Sequence, residues 1–434
     1  MNLSPIPVIV FEDENFGNFF PITLSRPTYD IRSGTRTNLD RIRHHFGGDP
    51  AATIRRPYLR AAVGQDINYK LKSLADNPSG KTILINGSVL IGIKDIEFIN
   101  ELKGRQDFVS YIRRDKLLAA VIPSKHIKDL VDTITHLYEK GRAGEIIAAS
   151  ARSPEVNVKS FSYIWEPMLE NPEIIKSDFE EYYKDAPSSN GTGDSFVYGI
   201  ENIRITGKAS MDSASVIDGR GGPVIIESGV EIKPFCCLEG PAYIGRDCRL
   251  VGGKVTGGCS FGPDCRIGGE VENTIMIGFS NKYHEGFLGH AYLGEWVNLG
   301  ALTTNSDLKN NYTEISVKQN GRVVRTGSIK IGSFMGDHSK TGIGMTLNTG
   351  AMIGFSCNLF GGSLLIEREI PSFAWGNDRM RHEYSLEKAI QTADIVCQRR
   401  SVKFDDYHRN LFENIFEMSR QQRRNWAQGK RIGN

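Results

Sequence analysis

The chain has no apolar run near the roughly 18 residues that a bilayer span needs. It also has almost no net charge, since 53 Lys and Arg stand against 51 Asp and Glu for a balance of +2. Near-neutrality leaves no footprint for nucleic acid. Met1 to Phe16 lacks the basic start of a secretory signal and turns acidic at Glu12, Asp13 and Glu14. These absences predict a cytoplasmic protein with no membrane and no nucleic-acid partner. Cysteine is sparse, 7 residues, and no two are spaced as Cys-x-x-Cys, which argues against disulfides and against a structural zinc site. With 39% hydrophobic and 24% charged residues the composition is not that of a disordered chain, and 434 residues suffice for two or three domains. Proline is scarce at 17, whereas glycine, at 46, makes up about 10% of the chain against an average of roughly 7%.

The glycine excess has an address, because 31 of the 46 lie between Gly199 and Gly376. The Pro, Ser and Gly cluster from Ala186 to Asp194 reads as a linker. The expected organisation is therefore a domain at 1–185, a linker at 186–198, a repeat domain at 199–377 and a tail at 378–434. The repeat has a period of six. Ile226, Ile232, Leu238, Ile244 and Leu250 follow at that step, as do Phe261 and Ile267, Leu293 and Leu299, and the series Ile329, Met335, Thr341, Leu347, Ile353, Leu359 and Leu365. Such hexads form a parallel β-helix, with three hexads closing one triangular coil. The first position of each hexad points inward, and glycine after it relieves crowding at the corner. Cys236, Cys248, Cys265 and Cys357 occupy the fifth position, where a small hydrophobe faces the narrow interior. The period breaks at Asn281 to Tyr292 and again at Thr304 to Ser328, and solenoids carry function in such insertions. Ser385 to Arg424 reads as helical, with a basic surface at Arg399–Arg400 and Arg420 to Arg424.

Residues 1 to about 185 alternate buried strands, Val8–Phe11 and Thr82–Ile85, with helical stretches such as Ile127 to Lys140, an α/β pattern. Phe20-Pro-Ile-Thr-Leu-Ser-Arg-Pro27 and Ile83-Leu-Ile-Asn-Gly87 resemble elements of the sugar-phosphate nucleotidyltransferase family, which implies a Rossmann-like fold. The chemistry of that family needs a Gly-rich phosphate loop and a carboxylate for Mg²⁺. Here the loop position reads Glu12-Asp-Glu-Asn-Phe16, Thr28 stands for the expected Lys and Ser88 for the expected Asp. Arg26, Arg32 and Arg36 are candidates for holding a phosphate, and Mg²⁺ is expected only if this domain transfers nucleotides. Ser33-Gly-Thr-Arg36 has the composition of the missing loop but lies well beyond the first strand.

The sharpest constellation runs from Asn281 to Ala301. His284, Phe287, Leu288-Gly289 and Asn298-Leu-Gly-Ala301 resemble, in order and spacing, the acetyltransferase half of the bifunctional N-acetylglucosamine-1-phosphate uridyltransferase and glucosamine-1-phosphate acetyltransferase family. The likeness extends to Gly354. It implies a left-handed β-helix, a homotrimer, acetyl-CoA as donor and an amino-sugar phosphate as acceptor. Imidazole suits a general base that deprotonates an ammonium, and by the resemblance His284 takes that role. It further implies that Asn298 contacts the sugar and that backbone groups near Ala301 and Gly354 meet acetyl-CoA. Phe287 stands where the family has Tyr, and Asp307 where an Asn contacts substrate. Lys282, Lys309 and Lys318 are candidates for phosphate contacts. Three histidines, His284, His290 and His338, also raise the zinc site of the gamma-class carbonic anhydrases, but that site needs two histidines five apart, and His284 and His290 are six apart. The expected activity is acetyl-CoA-dependent N-acetylation of an amino-sugar phosphate. The alternatives are a bifunctional enzyme making a UDP- or dTDP-sugar, and a nucleotide-sugar or CoA sensor.

Overall fold

A computed structural model of the protein describes residues 6–59, 67–76, 80–153, 155–188 and 195–429. Of the expected linker 186–198, residues 189–194 lie outside the described residues, as does the very start of the chain. The chain forms two compact units. The first comprises Met1–Phe19, Arg26–Ile31 and Arg36–Tyr163, and the second Phe20–Ser25, Arg32–Thr35 and Ile164–Asn434.

The first unit is built on a six-stranded sheet in the order Ala52–Ile54, Val8–Phe11, Lys81–Asn86, Lys116–Pro123, Val109–Arg113, Ala151–Arg152. The first three strands are parallel, and Lys116–Pro123 runs against both its neighbours. Val8, Val10, Ile83 and Ile85 enter one apolar layer, and Ile9, Phe11 and Leu84 enter the other. Both faces are covered, so these strands read as unbroken apolar runs. Helices Asn38–Phe46 and Ile96–Gly104 supply Leu39, Ile42, Phe98, Ile99 and Leu102 to the first layer. Ile67–Ala75 and Arg142–Ala149 supply Leu71 and Ile146 to the second. The helix expected from Ile127 to Lys140 is instead a short turn of helix at Ser124–Ile127, a 3₁₀ turn at Lys128–Leu130 and a further turn at Val131–Thr135. Thr135 Oγ1 bonds back to the carbonyl of Val131 at 2.8 Å, a contact that bends helices.

The second unit is a left-handed parallel β-helix followed by helices. One face stacks nine strands from Ile203–Ile205 to Glu369–Ile370. Phe334 pairs with Met352 and Lys340 with Asn358, each eighteen residues on, which is the three hexads of one coil. Ile226, Ile232, Leu238, Ile244 and Leu250 are all buried in one cluster with Cys236, Cys248 and Cys265, and all seven cysteines are free thiols. The last hexad series starts one step later than its spacing predicts: Met335 to Leu365 are buried, but Ile329 is 48% exposed, in the connection leading to the strand Phe334–Met335. The reason for glycine is also sharper than corner crowding. At Gly262 an added Cβ would lie 1.6 Å from the carbonyl oxygen of Ile277 in the neighbouring coil, so only glycine permits that spacing. Several corners with left-handed backbone are instead held by larger residues, among them Asp247, Asp264, Phe279 and Trp296.

Tyr292 pairs directly with Phe334, so the polar stretch after Thr304 is looped out of the stack. It carries an antiparallel hairpin, Ser316–Gln319 with Arg322–Arg325. The tail forms the helices Leu386–Gln398, Asp406–Met418 and Arg420–Ala427. Trp426 enters the interior cluster of the β-helix with Arg381 over its indole at 4.5 Å, as a capping element of a solenoid does. No helix among the described residues is long and apolar enough to cross a membrane.

Candidate active site

The parallel strands of the first unit deliver Glu12, Asp13 and Asn86 to their carboxyl ends, where α/β sheets bind ligands. Each of these groups is already engaged. Glu12 is fully buried and pairs with the guanidinium of Arg56 at 3.1 Å, while the amides of Thr28 and Arg56 donate to the same carboxylate at 3.0 and 3.2 Å. Burial pushes the Glu12 carboxyl up, and Arg56 pulls it back. Asp13 accepts from Asn86 Nδ2 at 2.7 Å and lies 3.7 Å from the Lys116 ammonium. Ser88, at the expected metal carboxylate, donates its hydroxyl to Asn86 Oδ1 at 2.7 Å. The edge that would cradle a triphosphate thus carries buried carboxylates tied to neighbours.

Of the arginine candidates, Arg26 belongs to the first unit and its carbonyl accepts from Arg56 at 3.0 Å. Arg32 belongs to the second, where its amide and carbonyl clasp the hydroxyl of Tyr292 at 3.0 and 2.8 Å and its guanidinium bonds the carbonyl of Thr35. In the Ser33–Arg36 stretch the Gly34 amide donates to Asn171 Oδ1 at 2.6 Å and the Thr35 amide to Asp178 Oδ2 at 2.7 Å. Those amides are spoken for by side chains rather than presented as an anion cradle.

On the β-helix, the coil running through Asn281–Lys282 and Phe287–Gly289 lays His284 on an exposed corner. The next coil lies directly against it. Leu302 donates its amide to Glu285 at 2.9 Å, and Thr304 Oγ1 accepts from the Phe287 amide at 3.3 Å. His284, Phe287 and Ala301 are therefore assembled on adjacent coils. Asn298 pairs with Asn281 in register, and Asn281 Nδ2 donates to its Oδ1 at 3.0 Å.

Lys282, expected to meet a phosphate, points inward instead. It is 1% exposed, and its ammonium donates to the carbonyls of Gly268, at 2.9 Å, and His284. Burial pushes its pKa down to about 8. Lys309 Nζ donates to the Glu314 carbonyl at 2.9 Å and so ties its own loop. Asp307 points its carboxylate to His290 Nδ1, at 2.7 Å. Gly354 lies apart from this group. Its amide donates to Ile370 at 2.9 Å, its carbonyl accepts from Ser339 Oγ, and it faces a pocket of about 650 Å³, mouth included, with Phe20, Pro21, Met352 and Glu369.

Two groups escaped the sequence. Arg400 reaches Asn281 Oδ1 at 3.1 Å while pairing with Asp264, so the basic tail holds the neighbour of Asn298. His290 meets its partner Asp307 one coil on, at the same step of 17 residues that sets Asn298 against Asn281. Among the described residues no group of three or more His, Cys, Asp or Glu could hold a metal ion.

Fold and sequence together define a class: a nucleotidyltransferase-like α/β domain followed in the chain by a hexapeptide β-helix. Residues 8–186 match the family model described as sugar nucleotidyl transferase, and the chain resembles the bifunctional nucleotidyltransferase and acetyltransferase proteins over much of its length. It is 24% identical over 327 residues, 70% of this chain and 76% of the relative, to the "Bifunctional protein GlmU" of Methanococcus aeolicus. It is 30% identical over 96 residues, 22% of this chain and 24% of the relative, to a "Bifunctional sugar-1-phosphate nucleotidylyltransferase/acetyltransferase" of Sulfurisphaera tokodaii. A GlmU protein of Methanocaldococcus jannaschii is 32% identical over 26% of this chain and 27% of its own. The chain thus spans about a quarter of the length of two of these relatives and about three quarters of the third.

Proposed function

We propose that the protein transfers an acetyl group from acetyl-CoA to the nitrogen of an amino-sugar phosphate, with His284 as general base. The observation that carries this reading is the exposed His284 corner, its backbone clasped from inside by the buried Lys282, beside Phe287 and Ala301 on one rigid surface. The thioester supplies an activated carbonyl. His284 would remove the proton that frees the nitrogen lone pair, Asn298 would orient the sugar, and Ala301, half-exposed, would flank the donor. The resemblance supports a cytoplasmic homotrimer, and the division into a front domain at 1–185, a linker at 186–198, an acyltransferase domain at 199–377 and a tail is part of the same reading.

The front domain, on this reading, keeps the fold with its nucleotidyl transfer in doubt, and Mg²⁺ is required only if that transfer operates. The buried Glu12–Arg56 pair at the strand ends favours this over a bifunctional enzyme. The test is CoA release from acetyl-CoA with glucosamine-1-phosphate, for the wild type and His284→Ala. The substitution is expected to cost on the order of 10²-fold or more. Unchanged turnover removes His284 from the mechanism, and no turnover with any amine favours a sensor.

A further inference from the structure

His290 and Asp307 form a pair that the reading above does not use. Asp307 Oδ2 lies 2.7 Å from His290 Nδ1, and both side chains are largely buried, at 8% and 13% exposed. The backbone around the ring is pinned on both sides. Gly289 exchanges two hydrogen bonds at 2.8 Å with the Asn305 side chain, and the Gly332 amide donates to the His290 carbonyl at 2.8 Å. Among the described residues Nε2 has no protein partner, and it is not one of the polar atoms sealed from solvent. One ring nitrogen is thus fixed by a carboxylate while the other is free to take a proton. Phe287 completes the setting. An added Cβ at Gly289 would lie 2.3 Å from the Phe287 ring and 2.8 Å from Asp307 Oδ2, so the glycine leaves an apolar ring edge beside the pair.

An amine needs only to shed its ammonium proton before attack. A hydroxyl must lose its proton while attacking, and a carboxylate that orients the imidazole and stabilises the resulting imidazolium is the arrangement suited to that step. Among the described residues no carboxylate is paired with His284, whose ring lies edge-on to Tyr283. We propose that His290 and Asp307 form a second acceptor centre, which directs the acyl group of an acyl-CoA thioester to a hydroxyl of a sugar phosphate. His290 Nε2 takes the hydroxyl proton as the oxygen bonds to the thioester carbonyl carbon. The carbon–sulfur bond then breaks, and the imidazolium returns the proton to the departing thiolate, giving an ester and free CoA. His290 is the base, and Asp307 is a positioning residue that acts through it. The proposal rests on the acyl-transfer reading.

The test uses acetyl-CoA with two acceptors, glucosamine-1-phosphate and N-acetylglucosamine-1-phosphate, whose nitrogen is already blocked. The blocked acceptor is expected to release CoA and, once residual acetyl-CoA is removed, to yield a product cleaved by alkaline hydroxylamine, as an oxygen ester is and an amide is not. In His290→Ala and in the near-isosteric Asp307→Asn, the ratio of ester to amide formed should fall by about 10²-fold; a merely structural role would lower both together and leave the ratio unmoved, which overturns the proposal. Amide from glucosamine-1-phosphate without ester from the blocked acceptor overturns it while leaving the acyl-transfer reading intact. CoA release from neither acceptor removes both.

Discussion

The ammonium of Lys282 donates to the carbonyl of His284, two residues on, and to that of Gly268 one coil away. A cation from the interior thus fastens the corner that carries the candidate base. Lys282→Met removes both bonds at similar volume, and the His284 corner loses its internal anchor. The expected outcome is a fall of about tenfold in kcat for CoA release, since misplacement of a base by about 1 Å is costly. KM for the sugar phosphate should stay within about twofold, because the ammonium is not at the surface. A large rise in KM with kcat preserved would restore Lys282 as a phosphate contact.

The same lysine makes a signed prediction about pH. Its folded pKa is pushed down to about 8, below the ordinary value of about 10.4. Between those values the folded chain binds fewer protons at this site than the unfolded chain, so the contribution of Lys282 to stability rises with pH across that window. Below about pH 8 the cost of burying the charge is fully present. Urea unfolding of wild type and Lys282→Met at pH 7.5 and 9.5 should show the wild type gaining relative to the variant at the higher pH. An unchanged difference would mean that the ammonium is solvated.

In the front domain the prediction concerns Glu12. With Arg56 at 4% and Glu12 at 0% side-chain exposure, Glu12→Ala takes the carboxylate from a buried guanidinium that keeps its bonds to the Tyr58 hydroxyl and the Arg26 carbonyl. Breaking such a pair costs about 3–5 kcal/mol, which urea unfolding of this domain would register. A cost below about 1 kcal/mol would show that the carboxylate is free to serve another purpose.

The thiols give a simpler check. Burial pushes Cys259 and Cys357 up to about 12 and Cys248 well above the ordinary thiol value, and only Cys237 is half-exposed. Labelling of the native protein with a thiol-specific disulfide reagent should modify Cys237 first, with the remainder reacting only on unfolding. Rapid reaction of several thiols would contradict their place in the coil interior.

The β-helix was legible because its period is imposed by geometry that repeats: one inward side chain every six residues, so that Ile226 to Leu250 announce themselves in sequence. The front sheet was legible for a similar reason, as strands covered on both faces become continuous apolar runs. What sequence could not show were partnerships that form only once the coils close and the tail packs on them. Lys282 looks like a surface cation until its neighbours in the coil are known, because its inward turn depends on carbonyls supplied by Gly268 and His284. Asp307 looks like a substrate contact until one coil closes and sets its carboxylate against His290. Arg400 reads as part of a basic tail, yet it is fastened to Asp264 and Asn281 of the coils.

The proposed function assigns acyl transfer to this chain and leaves nucleotidyl transfer by its front domain in doubt. It is tested most directly by incubating the full protein with acetyl-CoA, glucosamine-1-phosphate, UTP and Mg²⁺, and following free CoA and pyrophosphate in the same reaction. On the proposed reading CoA is released without pyrophosphate. Pyrophosphate release without CoA would contradict the account, because it would place the chemistry at the Glu12 end of the front sheet and leave the His284 corner idle.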